Sequence, residues 1–212
     1  MKERPILFNS EMVRAILDDR KTMTRRVIKP QPHICYNGDL IYKDHLIGSE
    51  IKEYNSIPYP EIEGVSLYGI PGDQLWAREA WCKFDNRILY KANYKGQKSK
   101  PFKWKPSIHM FRRHSRIQLE ITSIRVERVQ NITEEDALKE GSFLNRCPCT
   151  EMNKPPKNNI EAVFQQTGCH IHGTEFKHLW NSINKKRGFG WDANPWVWVV
   201  EFKRITECQD LN

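Results

Sequence analysis

The stretch Trp196-Val197-Trp198-Val199-Val200-Glu201-Phe202 most constrains what this 212-residue chain can fold into. Successive residues of a strand point to opposite faces, so a run that is apolar at odd and even positions alike leaves no face for water. Such a strand belongs inside a sheet and covered, as in fully buried strands of α/β and α+β proteins. It therefore predicts a central, buried strand around which the rest of the chain is organised.

Other segments supply candidate neighbours. Ile117, Leu119 and Ile121, then Ile124 and Val126, alternate along a long strand, with a change of register at Thr122-Ser123 that predicts a bulge. Pro71-Gly72-Asp73 is a turn signal before a strand carrying Leu75, Ala77 and Glu79 on one face and Trp76, Arg78 and Ala80 on the other. Near the amino end, Ile6 to Phe8 reads as a strand. A helix follows with Ser10 as N-cap and Met12, Val13, Ile16 and Leu17 at helical spacing, then a strand near Val27 and Ile28. Asp19 stands where a helix end favours glycine. Thr133 caps a short helix with Glu134, Glu135 and Asp136 in its first turn and Gly141 as its stop. Glu140, on the last turn of that helix, is a carboxylate at the wrong end of the dipole. A helix over Thr174 to Lys186 aligns Phe176, Leu179, Trp180 and Ile183, a pattern of core packing.

Strands and short helices in this order predict an α+β domain with its core near residues 5–29, 71–82, 114–141 and 174–205. Residues 33–70, 83–113 and 142–173 read as loop-rich insertions. Hydrophobic residues at 39% and aromatics at 11% exclude a disordered chain. Thirty-four Lys and Arg against 26 Asp and Glu leave a net charge of +8, which favours a polyanionic partner, nucleic acid first. No apolar run approaches the ~20 residues of a membrane span. The amino terminus has no signal-peptide pattern, so the expected location is cytoplasmic, with the six cysteines as thiols or metal ligands.

Two insertions carry candidate sites. Lys100, Lys103, Lys105, Arg112 and Arg113 are interleaved with Phe102, Trp104 and Phe111, a mixture that suits phosphates and stacked bases; the same aromatics can equally pin the insertion to the core. Cys147, Cys149, Cys169 and His172 can supply a tetrahedral structural zinc, although Cys-x-Cys is a weaker signal than Cys-x-x-Cys, and free thiols are the alternative. No other cofactor is required.

The chemistry concentrates at Arg20-Lys21-Thr22-Met23-Thr24-Arg25-Arg26, a turn expected after the first helix. An amine near a hydroxyl, Lys21 with Thr24, can act as base and nucleophile once the amine is neutral. A turn kept only for solubility is the alternative.

This turn resembles the signature of the ASCH domain family, small mixed β-barrels with flanking short helices related to the RNA-binding PUA domains. Pro71-Gly72-Asp73-Gln74-Leu75, the Ile117–Val129 strand with Ile132-Thr133-Glu134, and Val199-Val200-Glu201-Phe202-Lys203 resemble further family segments in the expected order. The long form is similar to proteins of bacteriophages and prophages, which places it in a bacterial host cell. Within the family, N4-acetylcytidine amidohydrolases carry a Gly-Arg-Lys-Thr-x-Thr-x-Arg turn. That pattern matches Arg20, Lys21, Thr22, Thr24 and Arg26, with Asp19 in place of the glycine and Arg25 in place of a small or apolar residue. The resemblance implies Lys21 as proton acceptor, Thr24 as nucleophile and Glu140 as proton donor. Arg20, Thr22, Arg25, Arg26, Trp76 and Glu79 are then candidates for holding substrate, with an ion pair to a basic residue, inside the fold or at the surface, as the alternative for Glu79.

Two other functions fit the same residues. One is a non-catalytic module that binds RNA or a modified base, with Lys21, Arg25 and Arg26 on phosphates and Trp76 or Trp104 for stacking. The other is a ribonuclease with Glu140, His109 or His114 as base. A partner protein of the host is a further possibility on which the sequence is silent.

Overall fold

The computed structural model describes residues 1–36, 38–49, 65–94, 102–141 and 171–205. Its centre is a five-stranded mixed sheet built from β1 (Glu3–Leu7), β2 (Met23–Val27), β6 (Gln74–Arg78), β9 (Gln118–Arg128) and β10 (Trp196–Ile205), in the order β1-β6-β9-β10-β2. All neighbours are antiparallel except β1 and β6. The class is α+β, as expected. The sheet is open, with β1 and β2 at its edges, and not a closed barrel. One side chain spans the two edges, the Arg26 guanidinium donating to the Leu7 carbonyl at 2.6 Å.

β10 lies between β9 and β2 and is buried from Trp196 to Val200. Trp196, Trp198, Val200 and Phe202 enter one core with Ile6, Phe8, Val13 and Ile16, while Val197 and Val199 enter a second with Met23, Ala137, Phe176 and Trp180. Full burial of each such side chain stabilises the fold by ~1.5–3 kcal/mol, which is why this strand cannot lie at an edge. The bulge falls where the alternation breaks: Glu201 faces Ser123 and Phe202 faces Ile121, so Thr122 has no partner across the ladder.

The helices cover both faces. α1 (Ser10–Leu17) is capped by Asn9, one residue before the expected cap; its Oδ1 accepts from the Met12 amide at 2.8 Å. Asp19 takes the left-handed conformation at φ 55°, and its carboxylate receives both Nε and Nη2 of Arg204 at 3.1 Å. α2 (Glu134–Lys139) has the expected Thr133 cap, with Oγ1 accepting from the Asp136 amide at 3.1 Å, and the expected Gly141 stop at φ 79°. α3 (Ile171–Asn184) begins three residues before the expected Thr174.

Two segments read as insertions belong to the fold more closely than expected. β3 (His33–Ile34), β4 (Asp39–Tyr42) and β5 (His45–Ser49) form a small sheet whose Leu40, Tyr42 and Ile47 join the main core. β7 (Trp81–Phe84) and β8 (Arg87–Tyr90) form a hairpin around Asp85 and Asn86, both at positive φ, the pattern of a two-residue type I′ turn. Among the described residues no helix is long and apolar enough to cross a membrane.

Candidate functional site

The basic stretch is mostly strand. Only residues 20–22 connect α1 to the sheet, and Met23-Thr24-Arg25-Arg26 are β2 itself, paired with Val199, Val200 and their neighbours on β10. Pairing overrides the loop-like composition because each strand residue adds ladder hydrogen bonds and burial. The Phe202 amide donates to the Thr22 carbonyl and the Ile28 amide to the Trp196 carbonyl. Residues 22, 24, 26 and 28 are therefore the hydrogen-bonded positions. Met23, Arg25 and Val27 turn their N–H and C=O away from β10, toward the open edge.

Lys21 is buried, 1% exposed, and its ammonium spends its donors on three oxygens: the Met23 carbonyl, the Glu140 carbonyl and Glu140 Oε2, each at 2.7 Å. Burial pulls its pKa below the ordinary lysine value, the Glu140 carboxylate pulls it back up, and Arg26 and Arg25 lower it further. Gly141 makes this approach possible. A Cβ there would stand 3.1 Å from Lys21 Cβ and 3.0 Å from Ala15 Cβ.

Glu140 explains its awkward position at the helix end: it is the carboxylate that meets the buried amine. Its Oε1 is buried with no hydrogen-bond partner and stands 3.6 Å from Arg25 Nη1. Arg25 is also buried; its Nη2 reaches Asp136 at 2.5 Å and Glu127 at 3.1 Å, and its Nε has no partner. Arg125 extends this network to Glu127, Asp136 and Glu201.

Thr24, Arg25, Arg26 and Glu140 line a cavity of about 330 Å³ along the open edge of β2. That is at the lower end of the ~300–1,000 Å³ of small-molecule sites. Lys21 is not in the lining; it sits behind Glu140. The opposite wall is the face of α3 read as core packing. Phe176 and Trp180 do both jobs, while Leu179 and Ile183 face the cavity. Tyr68, Lys29 and Arg187 also line it and were not singled out in the sequence. No motif or spacing marks these three; on the α3 face read as core, Ile183 is 40% exposed in the structure. Burial raises the Tyr68 pKa and Arg26 opposes it, so the phenol is neutral and able to donate.

Other expected site residues lie elsewhere. Arg20 pairs with Asp18, and Thr22 is exposed, its amide donating to the Lys139 carbonyl. Trp76 is covered by the Arg78 guanidinium, 5.5 Å from its ring. Glu79 is buried in a two-pronged pair with Arg116, at 2.8 and 3.1 Å, an ion pair inside the fold. None of these four lines the cavity.

Of the cationic-aromatic set, Lys103, Lys105 and Arg113 are exposed, and Arg112 is engaged by Glu3. Trp104 packs against Tyr94 and Phe102, with ring centroids 5.6 and 5.7 Å apart, so it pins this segment while Phe111 stays 58% exposed. His109 is exposed and His114 stacks on Trp81. Lys100, Cys147, Cys149 and Cys169, and the side chain of His172, lie outside the described residues.

No protein-family model matches the sequence, and no curated protein matches it either. Among solved structures the chain is similar to the crystal structure of an ASCH domain from Lactobacillus crispatus JV V101. The identity is 12%, the TM-score is 0.37, and the match covers 96% of this chain and 79% of the other.

Proposed function

We propose that this chain is an ASCH-type, PUA-like protein whose cavity takes a modified nucleoside, free or flipped out of RNA, and hydrolyses an amide on it such as that of N4-acetylcytidine. The carrying observation is that Thr24 and Glu140 line one cavity while Lys21 Nζ stands 2.7 Å from Glu140 Oε2. The family reading itself rests on the motif resemblance of residues 20–26 and the segments that follow.

In this scheme the Thr24 hydroxyl attacks the amide carbonyl carbon and its proton passes to the Lys21–Glu140 pair. The pair then protonates the amine as the C–N bond breaks, and water hydrolyses the acyl-threonine to release acetate. The pair suits this exchange because two proton placements satisfy Nζ equally. As an ammonium it donates to all three oxygens; as an amine it donates to the Met23 and Glu140 carbonyls and accepts from a protonated Oε2. Glu140 lines the cavity and Lys21 does not, and Glu140 Oε1 has no hydrogen-bond partner, so in this scheme the carboxylate is the contact with substrate and the proton is routed through Glu140, not directly from Thr24 to Lys21. Arg26, with a buried Nε lacking a partner, is available to the developing oxyanion.

One observation favours the rival reading of a non-catalytic binding module: Lys21 is already fully engaged. Acetate release from N4-acetylcytidine by wild type, Lys21→Ala, Thr24→Ala and Glu140→Gln separates the two. Catalysis predicts turnover by the wild type alone. The same background rate in all four proteins, with nucleoside still bound, overturns hydrolysis and leaves binding.

A further inference from the structure

The cavity has two chemically different ends. The segment made of α3 and the turn after it follows β2 in the same order, since the Arg25 guanidinium lies 6.0 Å from the Phe176 ring in α3 and Lys29 Nζ lies 4.5 Å from the ring of Phe189, beyond the helix end. Thr24 and Glu140 therefore mark one end of a groove whose other end is marked by Lys29 and Arg187. At the strand rise of ~3.3 Å per residue, the five positions from Thr24 to Lys29 separate these ends by at most roughly 16 Å. Between them lie the apolar side chains of α3 and the outward-turned main chain of Arg25 and Val27.

The charges are distributed just as unevenly. Among the described residues Glu140 is the only carboxylate in the lining, and its Oε1 has no hydrogen-bond partner. At the far end Lys29 and Arg187 are both exposed, and among the described residues neither has an acidic partner within salt-bridge distance. Two exposed cations in the lining that have no carboxylate partner among the described residues, across an apolar wall from Thr24 and Glu140, match a ligand with a neutral polar head and an anionic tail.

We infer that the cavity takes a nucleoside phosphate, with the base end toward Thr24 and Glu140 and the phosphate held by Lys29 and Arg187. This rests on the nucleoside reading above and names the form of substrate: a phosphate ester, either a free 5′-nucleotide or a phosphate of an RNA strand. Arg187 supplies a planar fork suited to two phosphate oxygens, and Lys29 a point charge.

The test is fluorescence titration, using Trp180 and Trp198 in the cavity wall, of cytidine, cytidine 5′-monophosphate and a short single-stranded oligoribonucleotide at low salt. The inference predicts that the monophosphate binds about tenfold or more tightly than cytidine, as expected of two charge-assisted contacts. In Lys29→Ala/Arg187→Ala that ratio falls to within about twofold, whereas Lys83→Ala/Lys91→Ala, with the same loss of charge elsewhere, keeps it. Monophosphate ahead of oligoribonucleotide assigns the tail to a free nucleotide; the reverse assigns it to RNA, and both support the inference. Equal affinity for cytidine and its monophosphate in the wild type overturns it, as does a preference that survives in Lys29→Ala/Arg187→Ala, or inorganic phosphate competing as well as the nucleotide. Cytidine binding and acetate release without any phosphate preference sink this inference alone. Absence of both sinks the nucleoside reading with it.

Discussion

Glu140 presents two acceptors to one amine: its carboxylate Oε2 and its own main-chain carbonyl each stand 2.7 Å from Lys21 Nζ, across 119 positions of sequence. The double contact fixes where the end of α2 sits on β2, because the carbonyl is among the last of that helix and its orientation follows the helix axis. One residue thus terminates a helix, compensates a buried charge and lines the cavity.

Removing either partner leaves the other ionised or unsatisfied in a dry site. Lys21→Met is expected to cost about 3–5 kcal/mol of unfolding free energy, the range for breaking a buried pair. Lys21→Met/Glu140→Leu is expected to cost clearly less than the sum of the single changes, since no charge remains stranded. Urea unfolding of the three variants measures this; strict additivity would mean the two side chains do not share a stabilising contact.

Gly141→Ala meets two obstacles together. Its φ of 79° is left-handed, and the added Cβ would lie 3.0 Å from Ala15 and 3.1 Å from Lys21. The backbone alone costs about 1–2 kcal/mol, and the contacts push Lys21 away from Glu140. The expected outcome is a loss of about 2 kcal/mol in urea unfolding, together with weakened nucleoside binding at temperatures where the variant is still folded.

Glu79 and Arg116 form a separate buried pair beneath Tyr90, whose ring centroid is 4.0 Å from the guanidinium carbon. Arg116 is partly open to solvent, so the cost of removing it is discounted for screening, to about 2–3 kcal/mol for Arg116→Leu. Thermal unfolding is expected to drop for Arg116→Leu and to recover partly in Glu79→Gln/Arg116→Leu. Ligand binding in the β2 cavity is expected to stay as in the wild type, because neither residue lines it.

His114 supplies a pH dependence. Burial lowers its pKa from the ordinary 6.5, and the charges of Arg113, Lys83 and Lys105 lower it further. The folded state then binds fewer protons than the unfolded state between the folded pKa and 6.5, so this contribution is complete above 6.5 and is lost as pH falls through that window. Histidine NMR titration is expected to find one ring that protonates below 6.5. Lys105→Ala moves its midpoint upward, and no movement would show that the lysine does not act on the ring.

By itself the sequence determined the features whose cause is local. The two-faced apolar run of residues 196–202 required an interior strand, the broken alternation at Thr122 marked the bulge, and Thr133 and Gly141 fixed the bounds of α2. Periodicity and caps act within one or two turns of chain, so they survive without knowledge of neighbours. Even there the reading slipped where tertiary pairing won: Met23 to Arg26 looked like a basic turn, but β10 recruits them as an edge strand. A pairing carboxylate could be read at Glu79, but not that Arg116, 37 positions away, takes both of its oxygens. Only the tertiary structure decided that Lys21 meets Glu140, that Thr24 and Glu140 line one cavity, and that Lys29 and Arg187 line it too. These groups meet because the β2–β10 register and the seating of α2 and α3 on the sheet bring together residues more than a hundred positions apart. Nothing in the local sequence encodes such a distance.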